Sequence, residues 1–306
     1  MKYLTTKEVA LKWNVNDRRV RVLCEEGRVD GAFKVGKTWM IAETASKPYD
    51  ARTSIKKDYT GLTYDISQIE ALKKAIDQLR PLSPHAVTSL REKTIVDWTY
   101  HSNAIEGGTL TLSETKVVLE GLTIGGKNMV EHLEVINHKE AILFMETIIQ
   151  EKQSLSESMV KGLHQLILKE IDHQNAGAYR RENVTISGAN HIPPHHLVLP
   201  ELMQKLMVEY QMAWHEYHPI IRACLLHGEF VKIHPFVDGN GRTARLLLNF
   251  ELMKHGYPPI VITKDKRAEY YEALDLAHTT GNYSAFIDLI AGFLLESAFL
   301  WLRILG

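Results

Sequence analysis

Cysteine is nearly absent. Only Cys24 and Cys224 occur in 306 residues, too few for a disulfide scaffold, so the folded chain fits a reducing compartment. An excess of either charge is lacking too. Thirty-six basic against thirty-seven acidic side chains leave a net charge of −1. That balance excludes a histone-like polycation and an acidic tail protein, but it leaves room for a local charged patch. No apolar run follows Met1-Lys2-Tyr3-Leu4, so no signal peptide is expected. The most apolar stretch, 289–305, is interrupted by Glu296 and Arg303 and reads as too short to span a bilayer. What remains is 45% hydrophobic and 24% charged, ordinary for a globular chain of one large or two modest domains. The expectation is a cytoplasmic enzyme or regulator with no membrane partner.

Average charge hides a difference between the two ends. Residues 1–50 hold ten basic and seven acidic side chains, a net of +3, which leaves 26 basic and 30 acidic, a net of −4, for the other 256. Thr5 and Glu8 have the spacing of a capping box that starts a helix with Val9, Leu11 and Trp13 among its apolar positions. After a turn at Asn14-Val15, Asn16 or Asp17 would cap a second helix with Val20, Leu23 and Cys24 inward, and Gly27 would end it. Phe33-Lys34-Val35 and Trp39-Met40-Ile41 flank Gly36-Lys37 as a hairpin. Two short helices and a hairpin resemble a small winged helix-turn-helix of the excisionase or MerR type. That resemblance implies DNA as a partner of residues 1–50, with Arg18, Arg19 and Arg21 offered to phosphates. A solvated or protein-docking face is the alternative.

A linker is expected at 51–66, where sustained periodicity is lacking. Beyond it apolar residues recur at three- and four-residue spacing. They predict helices near 67–79, 89–105, 113–120, 131–151, 156–171, 202–217, 220–233, 242–255, 266–278 and 285–305. The body is therefore mainly α. His191, His195 and His196, or His215 and His218, lack the companions of a zinc site, and neither a P-loop nor a Rossmann glycine pattern occurs. Cys224 reads as core.

The chemistry concentrates in His234-Pro235-Phe236-Val237-Asp238-Gly239-Asn240-Gly241-Arg242-Thr243-Ala244-Arg245. Pro235 should end the preceding helix. Gly239 and Gly241 allow a tight loop whose N–H groups converge on an anion, at the N-terminus of the next helix. Arg242 and Arg245 are three apart and able to fork onto phosphate oxygens. Asp238 is a hard oxygen ligand suited to Mg2+, and the ordinary pKa of His234 suits a general base near neutrality. A base, a metal ligand, an anion cradle and two arginines are the components of phosphoryl or nucleotidyl transfer.

These residues match the Fic signature, HPFx[DE]GNGRxxR, at every specified position, and the chain resembles that family. The resemblance implies a Fic-type helical domain over 154–297 with a short β-hairpin flap, preceded by a helical region 67–153 and followed by a helix end at 298–306. It implies AMP transfer from ATP to a Ser, Thr or Tyr hydroxyl of a protein, the chain itself included; a homodimer is compatible with it. His234 would deprotonate the hydroxyl, Asp238 would hold Mg2+, and Gly239, Asn240 and Gly241 would cradle phosphate gripped by Arg242 and Arg245. Val184, Thr185, Ile186, His191 and Ile192 resemble the target-binding flap. Tyr271 or His278 would lie on the adenine side or in the core.

Ser102-Asn103-Ala104-Ile105-Glu106-Gly107 forms a second motif. A carboxylate at a helix C-terminus opposes the helix dipole, so Glu106 needs a cationic partner. The motif resembles the family's inhibitory [ST]xxxE[GN] helix, here about 89–107, whose glutamate would pair with Arg245 and block the γ-phosphate. The same glutamate also fits removal of AMP from a modified protein. A third reading makes the chain a DNA-binding regulator whose Fic body senses nucleotide.

Overall fold

The computed structural model describes residues 2–13, 15–25, 27–45, 47–48, 66–186 and 188–305. The chain divides into two compact units, residues 1–54 and 55–306. Most of the expected linker, 51–65, lies outside the described residues.

In the first unit, β1 (Tyr3–Thr5) leads into α1 (Thr6–Trp13) and α2 (Asp17–Glu25), then β2 (Phe33–Val35) and β3 (Thr38–Ala42). The capping box forms: the Thr5 N–H donates to Glu8 Oε2 at 2.7 Å, and the Glu8 N–H to Thr5 Oγ1 at 3.4 Å. Asn16 caps α2, its Oδ1 accepting the Arg19 N–H at 2.7 Å. The hairpin turns at Gly36, where φ is +63°. Its second strand also pairs with β1, giving an antiparallel sheet in the order β1-β3-β2 with Tyr3 opposite Ala42 and Phe33 opposite Met40. Val9, Ala10, Trp13, Val20, Leu23, Cys24, Val29 and Ile41 form a core of its own. Leu11, an apolar position of α1, is 85% exposed, because the inner face of this short helix passes through Ala10 instead.

The second unit is helical: α3 (Ile66–Gln78), α4 (Pro84–Ile105), α5 (Leu112–Leu119), α6 (Met129–Gln150), α7 (Glu157–Ile167), α8 (Leu199–Val208), α9 (Pro219–Ile233), α10 (Asn240–Lys254), α11 (Arg267–Thr280) and α12 (Ser284–Leu305). Local chemistry sets the starts. Thr111 and Glu114 make a capping box for α5, and Asn128 and Ser156 cap α6 and α7. The helix expected to 217 instead widens into a π-turn over Glu209–Ala213, which brings the Tyr210 hydroxyl inside against Glu251. The helix expected to 171 ends at Ile167, ahead of Glu170 at φ +59°.

At the centre α9 and α10 form an antiparallel pair contacted by α4, α6, α7, α8, α11 and α12. Cys224, Leu225, Leu226 and Phe230 of α9 and Leu246, Leu247, Leu248 and Phe250 of α10 are fully buried. Gly228 lets Tyr283, the residue before α12, approach: a Cβ there would stand 2.2 Å from the Tyr283 ring. By length and composition α12 reaches the requirement for crossing a membrane, with 22 residues, which corrects the shorter estimate from 289–305. Its buried face, with Phe286, Ile287, Ile290, Phe293 and Leu294, belongs to the core.

Candidate functional site

The α9–α10 connection is a braced loop. His234 closes α9 with its N–H on the Phe230 carbonyl at 3.0 Å, in the left-handed region at φ 51°, ψ 58°, where a non-glycine residue is strained. Phe236 is fully buried, its ring stacked on His164 with centroids 3.6 Å apart. Asn240 staples the turn: Oδ1 accepts the Phe236 N–H at 3.0 Å and Nδ2 donates to the Phe236 carbonyl at 2.9 Å. His164 accepts the Gly177 N–H on Nδ1 and donates from Nε2 to the Asp238 carbonyl at 2.8 Å. Gly239, at φ +73°, lies so close to His164 and Ile167 that a Cβ would meet them at 3.1–3.2 Å. The loop is rigid because each of its turns has a partner.

α10 begins at Asn240, and no side chain caps it. The backbone N–H groups of Asn240, Gly241 and Arg242 therefore open toward the loop at the positive end of a 15-residue helix. The two arginines separate in role. Arg242 is 2% exposed and held between Glu134 of α6 and Asp238, both at 2.8 Å. Its fork pairs with these two carboxylates, and through one of them it braces Asp238. Arg245 is also 2% exposed. Its Nε donates to Ser102 Oγ at 3.0 Å, and its Nη2 to the Ser102 carbonyl at 2.9 Å and Glu106 Oε1 at 2.7 Å. Burial opposes the charge, and Glu106 together with Tyr270 and Tyr271 outweighs it, so the Arg245 pKa is raised. Arg245 Nη1 is buried without a hydrogen-bond partner.

Glu106 stands at the C-cap of α4, and its side chain is about one-third exposed. A Cβ at Gly241 would come within 2.2 Å of Glu106 Oε1, so a side chain there would displace this carboxylate from its position. The helix dipole is answered separately. Arg267 Nε donates to the Ile105 carbonyl at 2.7 Å, and the guanidinium lies 4.8 Å over the Tyr271 ring.

His234 differs from its sequence expectation. Burial first, and then the nearby Arg180 guanidinium, lower its pKa to about 4 rather than leaving it near neutrality. The ring is neutral at pH 7, with Nδ1 buried and unpartnered. Arg180, which carries no motif signal, is the main residue that sequence reasoning missed. It is 2% exposed and donates to the carbonyls of His234 (2.9 Å), Glu182 (2.8 Å) and Pro194 (2.6 Å). It thereby ties both feet of the 184–192 excursion to His234. Glu134 and His164 were missed for the same reason: each looks like an ordinary helix residue until its neighbour across the fold is known.

The flap reverses around a turn in which the Ala189 N–H donates to the Ile186 carbonyl at 3.3 Å. Its arms, with Val184, Thr185 and Ile186 on one side and His191 and Ile192 on the other, form no β-ladder among the described residues. Tyr271 lies near Glu106 and Arg245 with its hydroxyl pKa raised, by burial first and Glu106 next. His278 is 8% exposed, its Nε2 donating to the Gly228 carbonyl at 2.9 Å. It is a core residue under the flap.

An all-α body with this braced loop and an opposing glutamate defines a Fic-type protein. Residues 154–252 match the Fic/DOC family. The chain is 30% identical to a Fic domain containing signaling protein from Bacteroides thetaiotaomicron, with a TM-score of 0.71 over 77% of this chain and 97% of that one. It is 30% identical to Fic-1 (residues 134–508) from C. elegans, with a TM-score of 0.70 over 78% and 72% of the two chains. Protein adenylyltransferase Fic of Drosophila melanogaster is 36% identical over 234 residues, 74% of this chain and 46% of that protein. The chain belongs to the Fic/DOC family, and it spans about half the length of the curated relatives it matches.

The buried imidazoles carry a consequence for acid stability. Burial first of all lowers His138 to about 3 and His164, His234 and His278 to about 4, and puts His227 well below its ordinary value. The unfolded chain binds these protons near pH 6.5 and the native fold does not. Stability is therefore full above that pH and falls as pH drops toward 4, by about 1.4 kcal/mol per imidazole per pH unit. Denaturant unfolding should show a lower midpoint for the helical unit at pH 5 than at pH 7; an unchanged midpoint would contradict neutral buried imidazoles.

Proposed function

We propose that this chain transfers AMP from ATP to a Ser, Thr or Tyr hydroxyl of a protein, and that Glu106 restrains the reaction. One observation carries the reading. The buried Arg245 holds an unpartnered Nη1 beside the uncapped N-terminus of α10, while its Nη2 is occupied by Glu106. A buried guanidinium and free helix N–H groups suit phosphate oxygens, and the names of the curated relatives support ATP and adenylyl transfer.

The roles follow from position. Gly239, Asn240 and Gly241 line the cradle, and Arg245 would take the terminal phosphate once Glu106 withdraws. Asp238 keeps two-thirds of its side chain exposed, with Oδ2 on Arg242. Among the described residues no cluster of three or more His, Cys, Asp or Glu gathers there, and a single braced carboxylate beside phosphates fits Mg2+, which retains water and phosphate ligands. Mg2+ would supply charge neutralisation on the phosphates. His234, neutral in the native fold, would accept the hydroxyl proton as that oxygen bonds the α-phosphorus and the bond to the pyrophosphate leaving group breaks. The flap would order the target segment beside it.

Glu106→Gly should therefore raise ATP- and Mg2+-dependent AMP incorporation by about tenfold or more, the scale of an interaction worth about 1.4 kcal/mol or more, and adding His234→Ala should abolish it. Intact-mass spectrometry reads both. No added AMP with Glu106→Gly would sink the proposal.

The first unit supports a second reading. It has its own core, Arg18 and Arg21 of α2 are exposed, and so are Lys34 and Lys37 beside the Gly36 turn. We infer a duplex DNA partner for this basic face. Binding of the full chain to DNA should weaken steeply with salt and lose about one unit of log–log slope for each phosphate-contacting residue removed in Arg18→Ala and Arg21→Ala. A salt-independent or absent interaction would exclude it.

A further inference from the structure

Arg267, Tyr271 and Asp275 follow at four-residue spacing along α11 and share one face. The first holds the end of α4 through the Ile105 carbonyl. The third reaches the flap. Asp275 Oδ1 accepts the N–H groups of Asn190 at 2.9 Å and His191 at 3.1 Å, and Oδ2 accepts Asn190 Nδ2 at 2.6 Å. His191 adds a second tie, its Nε2 donating to the Lys232 carbonyl at 2.8 Å, two residues before His234. Arg180 pins the two feet of the same excursion, at Glu182 and Pro194. Among the described residues the arms have no ladder between them, so the flap's shape rests on these side chains.

We propose that Asp275 is a positioning residue for the protein target, holding the crown of the flap at a set height over the site. An extended segment added to a loose flap would have to order both partners, and that cost appears as weak binding. A crown fixed to α11 is ordered in advance, with the Val184–Thr185–Ile186 arm presented for strand-type pairing and the target hydroxyl delivered to His234. Asp275 touches neither the phosphate cradle nor His234, so it acts through the flap alone. The N–H groups of Asn190 and His191 and the Asn190 amide hold its carboxyl below the ordinary carboxylate range, the Asn190 side chain foremost. The latch is thus charged throughout the neutral range.

This inference rests on the adenylyl-transfer reading, and its test keeps the two apart. In a Glu106→Gly background, Asp275→Asn preserves shape and removes the charge; Asp275→Ala removes the acceptor. Hydrogen exchange at the Asn190 and His191 amides should quicken by about tenfold or more in both variants, since charge-assisted acceptors are lost. With a His234→Ala copy of this chain offered in trans as the protein substrate, KM for that substrate should rise about tenfold. The kcat and the affinity for ATP should stay within about twofold. Unchanged amide exchange would overturn the latch. So would kcat and ATP affinity falling together with KM for the protein unchanged, the pattern of general damage to the site. A Glu106→Gly parent that adds no AMP refutes the transfer reading instead, while the exchange rates still decide whether Asp275 holds the flap.

Discussion

A guanidinium buried as deeply as that of Arg245 must have an anion, and the helical unit is arranged around supplying one. Breaking a buried charge pair by removing one partner costs about 3–5 kcal/mol, less where a partner is partly solvated. Glu106 is one-third exposed, so its share lies at or below the lower end. That middle value is what a reversible restraint needs. A fully buried glutamate would not yield, and a fully exposed one would hold nothing. Ser102, one turn earlier on α4, takes the Nε and part of the Nη2 hydrogen bonding, so Arg245 stays oriented when Glu106 moves. The absence of a side chain at Gly241 gives the carboxylate its place.

The second constraint is the rigidity of the loop. His234 occupies a strained left-handed conformation that persists only because its surroundings over-determine it. Phe236 anchors one side under His164, Asn240 brackets the backbone, and Arg180 holds the His234 carbonyl itself. The same Arg180 reaches both feet of the flap, so His234 and the 184–192 excursion share one support. Arg242 braces Asp238 from below while Glu134 fixes Arg242. Preorganised groups of this kind are what transfer chemistry requires, because little reorganisation remains for the reaction step.

Local chemistry made much of this legible beforehand. Caps, glycine stops and three–four periodicity placed the helices to within a few residues, and the glycines and arginines of one loop marked the site. The opposition of Glu106 to its own helix dipole called for a cation, and the fold places Arg245 against it. What escaped were properties that depend on distant neighbours. Arg180, Glu134, His164 and Asp275 acquire roles only when segments far apart in the chain meet. The depressed pKa of His234 comes from burial, which no sequence spacing encodes. The commitment of Arg242 to carboxylates likewise follows from α6 crossing beneath α10. Leu11 shows the complementary error, since apolar residues in sequence do not tell which face of a short helix turns inward.

In the proposed reaction, Glu106 occupies the position on Arg245 that the terminal phosphate needs. Crystal structures of the unaltered chain and of Glu106→Gly, each with ATP and Mg2+, test it most directly. The Arg245–Glu106 pair should persist in the first, with the terminal phosphate held away from Arg245, and Arg245 should contact that phosphate in the second. A terminal phosphate on Arg245 in both, with Glu106 undisturbed, would contradict it.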